Sequence, residues 1–215
     1  MRAMADSPKP RLLPLLFIAG TLTLVVTAVR CYGEVAGWDP RWFSAEPGSP
    51  LNPFGIVWLV PVFGFLFGRR AAQTGGRPPF VASFFVPMFA LCVLLFAGGY
   101  IGEKMDGPAM REAMQYVFWG APVLSLLALF SWPRMYLIML VYGLWARLPV
   151  MAVQYLDIQN GWQTHYGKVH PKLPSMSADD RLWLLTLAQG GFWIPFTILL
   201  GSGFAAIGAV TVRKA

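Results

Sequence analysis

From Met135 to Leu156 the chain reads MYLIMLVYGLWARLPVMAVQYL, an apolar run long enough to cross a bilayer with Arg147 well inside it. A charge at that depth costs several kcal/mol unless it is paired, hydrated or able to reach an interface. The other segments must therefore surround this one and give the charge somewhere to sit. Their composition suits them to it, since 56% of the residues are hydrophobic and only 13% are charged, against roughly 25% charged in soluble domains. The apolar runs are also unbroken, where a soluble helical protein would alternate its faces. The expected fold class is an all-α integral membrane protein, one membrane domain over residues 1–215.

Six spans are expected, at 12–29, 51–68, 80–101, 116–132, 135–156 and 182–212, joined on the outer side by loops 30–50, 102–115 and 157–181. The first follows a short basic N-terminus, but its apolar run exceeds the ~7–15 residues of a signal peptide and no A-x-A site follows it, so it reads as an uncleaved helix. The second is stopped by Arg69-Arg70 and the fourth turns into the fifth at Pro133-Arg134. The last exceeds the ~20 residues needed to cross. It is either one long tilted helix or an interfacial piece up to Gln189-Gly190-Gly191 followed by the span proper. Ser177 with Asp180 three residues on resembles a capping box, which starts that helix near Ala178.

Charge fixes the expected orientation. With the N-terminus in the cytoplasm, the inner segments hold Arg2, Lys9, Arg11, Arg69, Arg70, Arg77, Arg134, Arg213 and Lys214 against Asp6 alone. The outer segments carry seven bases and nine acids. The short inner segment from Arg69 to Pro79 has three arginines and no acid. The positive-inside rule thus places both termini in the cytoplasm of a bacterial-type inner membrane. The same distribution accounts for the net charge of +7, and no basic run interleaved with aromatics suggests nucleic acid.

Each expected span contains a proline: Pro14, Pro61, Pro87, Pro122, Pro149 and Pro195. These are either ordinary bundle irregularities or hinges. The halves of the chain show no internal repeat of the kind secondary transporters carry. Cys31 and Cys92 fall at different depths, so no disulfide joins them. Gly64 and Gly68, with Gly201, Ala205 and Ala209, keep a four-residue small spacing that permits close helix contact within the chain or between chains.

The polar residues near Arg147 define the candidate site. Ser125 and Gln189 fall at a similar depth, Gln154 lies two turns above on nearly the same face, and Asp157 sits at the outer end of the helix. Together they could form a polar shaft opening outward with a positive charge at its base. Alternatively, Arg147 donates to carbonyls freed by the prolines and locks the bundle, or snorkels to an interface. The loop above contains WQTHYGKVHP, and His165 and His170 give it titratable groups with which to lid the shaft. Their spacing lacks a second pair of ligands, so no metal site is expected, and no cofactor motif is present. Trp38, Trp42 and Phe43 read as an interfacial aromatic belt around a turn at Asp39-Pro40-Arg41.

Enzyme signatures such as G-x-S-x-G and H-E-x-x-H are missing, and no paired carboxylates occupy the spans. The first functional expectation is a non-catalytic membrane component that assembles through its small-residue faces. The second is binding or transport of a small anionic solute, with Arg147 as its contact. A membrane-embedded enzyme using His165 or His170 comes third. The lipid bilayer is the partner common to all three.

Overall fold

The computed structural model describes residues 12–47 and 55–212. Arg2, Asp6, Lys9, Arg11, Arg213, Lys214 and the first part of the expected second span lie outside the described residues. Within them the chain is all-helical: α1 (Leu13–Val35), α2 (Leu59–Gly75), α3 (Phe80–Lys104), α4 (Gly107–Ser131), α5 (Pro133–Asn160), α6 (Ala178–Ala188), a π-helical turn (Gln189–Trp193) and α7 (Ile194–Val210). Five helices are long and apolar enough to cross a membrane: α1, α3, α4, α5 and the continuous Ala178–Val210 rod. These features suggest a multi-pass membrane protein.

Several boundaries differ from expectation, each for a local reason. Helix α1 continues six residues beyond Val29 because Arg30 and Glu34 stand one turn apart and pair, Nε to Oε1, at 2.9 Å. The expected loop 102–115 shrinks to Met105-Asp106, since α4 begins at Gly107. Its first turns, PAMREAMQ, are strong helix formers, and Met110 buries itself with Ile101, Phe118, Leu173 and Leu184 in a second apolar cluster. Hydropathy alone misses such an amphipathic start. Helix α2 runs through Arg69-Arg70 instead of stopping there, and its seventeen residues leave it shorter than the five span-length helices. Arg134 closes its far end, donating from Nη2 to Thr74 Oγ1 at 2.8 Å and from Nη1 to the Ala71 carbonyl at 3.3 Å.

The prolines are less uniform than the sequence implied. Pro14 is in the first turn of α1, where a missing N–H costs nothing, and Pro61 is the third residue of α2. Pro87, Pro122 and Pro149 lie inside helices. Pro195 follows the π turn, which the Ile194 N–H closes onto the Gln189 carbonyl. Glycines at 190 and 191 and a proline at 195 weaken the regular ladder at this point, and the wider turn absorbs the irregularity. The capping box is present as expected: Ser177 Oγ accepts from the Asp180 N–H at 3.1 Å and donates to Asp180 Oδ2 at 2.8 Å.

Helix α7 is the centre of the bundle. In the most apolar stretch of the Ala178–Val210 rod 72% is buried, compared with 22–39% in the other four span-length helices. Its closest neighbour is α2, and the small-residue spacings explain how. A Cβ placed on Gly64 would stand 2.5 Å from the Gly201 carbonyl oxygen, and one on Gly68 would collide with the Ala205 carbonyl. The backbones touch along this seam, so Gly64, Gly68, Gly201 and Ala205 are occupied inside the chain, with Ala209 buried beside them. On the other side, Tyr142 of α5 joins Phe63 and Phe67 of α2, both ring pairs at 5.8 Å. Its hydroxyl lies 3.2 Å from Thr23 Oγ1 of α1.

The seam makes a direct prediction. Gly68→Val should destabilise the protein by about 1–3 kcal/mol through overpacking. Gly99→Ala, where an added Cβ meets nothing within 4 Å, should be neutral or gain up to about 1 kcal/mol of helix propensity. Thermal melts of the detergent-solubilised variants check both.

Candidate functional site

Arg147 stands at the midpoint of α5, fourteen residues from Pro133 and thirteen from Asn160, and is only 4% exposed. Its partners come from one place, the π turn. Gln189 Oε1 accepts from Nη1 at 3.4 Å, and the Trp193 ring lies under the guanidinium carbon at 4.7 Å. The wider turn presents both side chains to α5 from positions four apart. Gly191 makes this approach feasible, since a Cβ there would run into the Phe118 carbonyl of α4.

What Arg147 lacks is a counter-charge. Its Nε and Nη2 are buried and have no hydrogen-bond partner among the described residues, and no carbonyl accepts from it there. Gln154, two turns above, is 2% exposed and its Oε1 is likewise without a donor. Of the residues expected beside Arg147, the structure hydrogen-bonds Gln189 to it and buries Gln154 on the same helix face. Ser125 is buried but donates to the Pro122 carbonyl of its own helix at 2.7 Å. His170 lies in the loop, its Nδ1 accepting from the Lys172 N–H at 3.3 Å.

Asp157 and His165 do something the sequence did not reveal: they fasten the loop between α5 and α6. Asp157, 2% exposed, accepts from Thr164 Oγ1, from the Thr164 N–H and from the Gly167 N–H at 2.7 Å. His165 meets Glu34 of α1 through its backbone N–H at 2.9 Å and through Nδ1 at 2.6 and 2.8 Å to the two carboxylate oxygens. The Glu34 side chain is fully buried, and Arg30 holds its other flank. Burial pushes the His165 imidazole below its ordinary value, with Arg30 adding to that and Glu34 and Asp157 drawing it back. Tyr166, stacked beside His165, donates to the Thr27 carbonyl at 3.3 Å. Lys172 clamps the next stretch by donating to the Gly102 and Glu103 carbonyls at the end of α3, at 2.8 and 3.0 Å.

Between the end of α5, this loop and the start of α6 is a pocket of about 250 Å³ lined by Asp157, Ile158, Gly161, Gln163, Gly167, Lys168 and Arg181. The Asp157 carboxylate is already taken up by the loop. The two cations therefore set the pocket's character, and Arg181 Nε is buried there without a partner among the described residues. Going inward along α5, Asp157 is followed by Gln154 and then Arg147, ~15 Å below Asp157 at ~1.5 Å per residue. No group of three or more histidine, cysteine, aspartate or glutamate side chains able to hold a metal occurs among the described residues. Both Cys31 and Cys92 are free thiols.

The sequence reading missed Glu34, Arg30 and Trp193. Arg30 and Glu34 carried a signal, a base and an acid one helical turn apart just past an apolar run. Trp193 carried one too, four residues beyond Gln189, but only the π turn brings both to the same guanidinium.

Glu34→Ala should cost about 3–5 kcal/mol, because it leaves Arg30 buried without its counter-charge. The same change should expose Lys168 and Lys172 to trypsin. Glu103→Ala, removing an exposed partner of Lys104, should cost under about 1 kcal/mol and leave the loop protected. Melts together with limited proteolysis read both effects.

Comparison with protein-family models, with curated proteins and with solved structures finds no match to this chain.

Proposed function

We propose that this chain is a multi-pass protein of a bacterial-type inner membrane, with both termini in the cytoplasm, that binds a small anionic solute at Arg147. One observation carries the reading: a guanidinium buried at the middle of a membrane-length helix keeps two N–H-bearing nitrogens unpartnered and faces no acid among the described residues. Burying an unpaired charge is strongly unfavourable. A structural arginine would be expected to use those donors on carbonyls or carboxylates, whereas a binding arginine keeps them for its ligand. Lys168 and Arg181, which line the pocket beside Asp157, give that end of α5 a cationic surface suited to an anion.

A non-catalytic component of a larger assembly is the competing reading. The small-residue seam favours it less than the sequence implied, since those residues are occupied by α2 and α7. Such an assembly would instead use outward apolar faces, where Phe17 of α1, Phe96 of α3, Phe130 of α4 and Leu148 of α5 are exposed.

Thermal melts of purified protein against a panel of small anions decide between the two. Binding at a hundredfold above Kd should add about 2.7 kcal/mol of stability to the wild type and nothing to Arg147→Gln. If no anion shifts the wild type, the binding reading fails. Orientation is checked separately: a fluorescent-protein fusion at the C-terminus should be bright, and a periplasmic phosphatase fused at the same point inactive.

A further inference from the structure

The atoms of Arg147 that lack partners are a specific pair. Nη1 is taken by Gln189 and one face of the plane is covered by Trp193. Nε and Nη2, which remain, form one edge of the guanidinium, with two N–H bonds nearly parallel. That edge is the fork that binds the two oxygens of a carboxylate or phosphate side-on, whereas a halide can use it only as a point charge. A single guanidinium balances a single negative charge, which selects a monoanion over a phosphate dianion in a buried site.

The second unpartnered atom narrows the class further. Gln154 Oε1 is a buried acceptor seven residues above Arg147, about 20° off the same face and ~10 Å higher along α5. A buried acceptor needs a donor, and a small molecule held on the fork and extending outward would supply it from an O–H group. Resting on the anion-binding reading of Arg147, we infer that the ligand is a small monocarboxylate bearing a hydroxyl group, a hydroxy-acid. Its carboxylate lies on the Nε/Nη2 edge and its donor points toward Gln154.

The test is a thermal-shift series on wild-type protein with chloride, bromide, acetate, glycolate, 4-hydroxybutyrate and inorganic phosphate. It is repeated on Arg147→Lys, which keeps the charge without the fork, and on Gln154→Leu. At least one donor-bearing carboxylate should raise the wild-type Tm at concentrations tenfold or more below those at which acetate or the halides do. Arg147→Lys should lose that preference for carboxylate over halide, and Gln154→Leu should reduce the donor-bearing compounds to the level of acetate. The wild-type series needs no variant to fold. Halides matching the carboxylates on wild type would overturn the side-on assignment while leaving an anion site at Arg147. Phosphate exceeding every carboxylate would overturn the carboxylate assignment, and acetate equalling the donor-bearing compounds would overturn the part given to Gln154. No shift with any anion would overturn this inference together with the reading beneath it.

Discussion

The burial of one guanidinium at the centre of α5 sets the terms for the helices around it. Arg147 cannot be solvated where it lies, so the chain brings it a side-chain amide and an aromatic face, both from the π turn of the longest rod. That turn depends on Gly190, Gly191 and Pro195, and Gly191 must stay bare for α4 to come close. A residue on one helix is thus satisfied by a backbone irregularity on a second, which is tolerated because a third fits against it. The arrangement is incomplete in one respect, the Nε/Nη2 edge, and incompleteness at a buried charge is where a function is to be sought.

The loop between α5 and α6 is held by a different logic. Its anchors are polar and individually buried: Asp157 gathers Thr164 and Gly167, Glu34 grips His165, and Tyr166 reaches Thr27. These anchors lie on α1 and α5, while Lys172 adds α3. A connector of this length held only by apolar contact would leave its backbone groups to water. This one is stitched to three helices, so movement of any of them is felt at the mouth of the pocket. Arg30 and Glu34 keep their charges from opposing burial by neutralising each other.

Much of this could be read from residues in order. Unbroken apolar runs fixed the helical class, Ser177 and Asp180 marked the start of α6, and Arg147 stood out as the residue needing an explanation. Gln189 was picked as its neighbour on depth alone, and the two meet. What escaped was whatever depends on a long-range partner. Nothing local says that Glu34 is buried, because its cover comes from His165, 131 positions away in sequence. Nor does any local signal show that the small-residue spacings of α2 and the last helix are for each other. The amphipathic opening of α4 was hidden because a hydropathy window averages its charged face with its apolar one.

The α2–α7 seam has a consequence for how the molecule is made. Gly64 meets Gly201, 137 residues later, so α2 finds its closest neighbour only when α7 leaves the ribosome. At roughly 5–20 residues per second, that is a wait of about 7–27 s during which a bare glycine ridge stands open. A nascent chain in that interval has a surface shaped for one backbone and nothing to fill it. The interval between the making of α2 and of α7 is therefore when this protein is most exposed to wrong helix partners, and anything that chaperones it would act there.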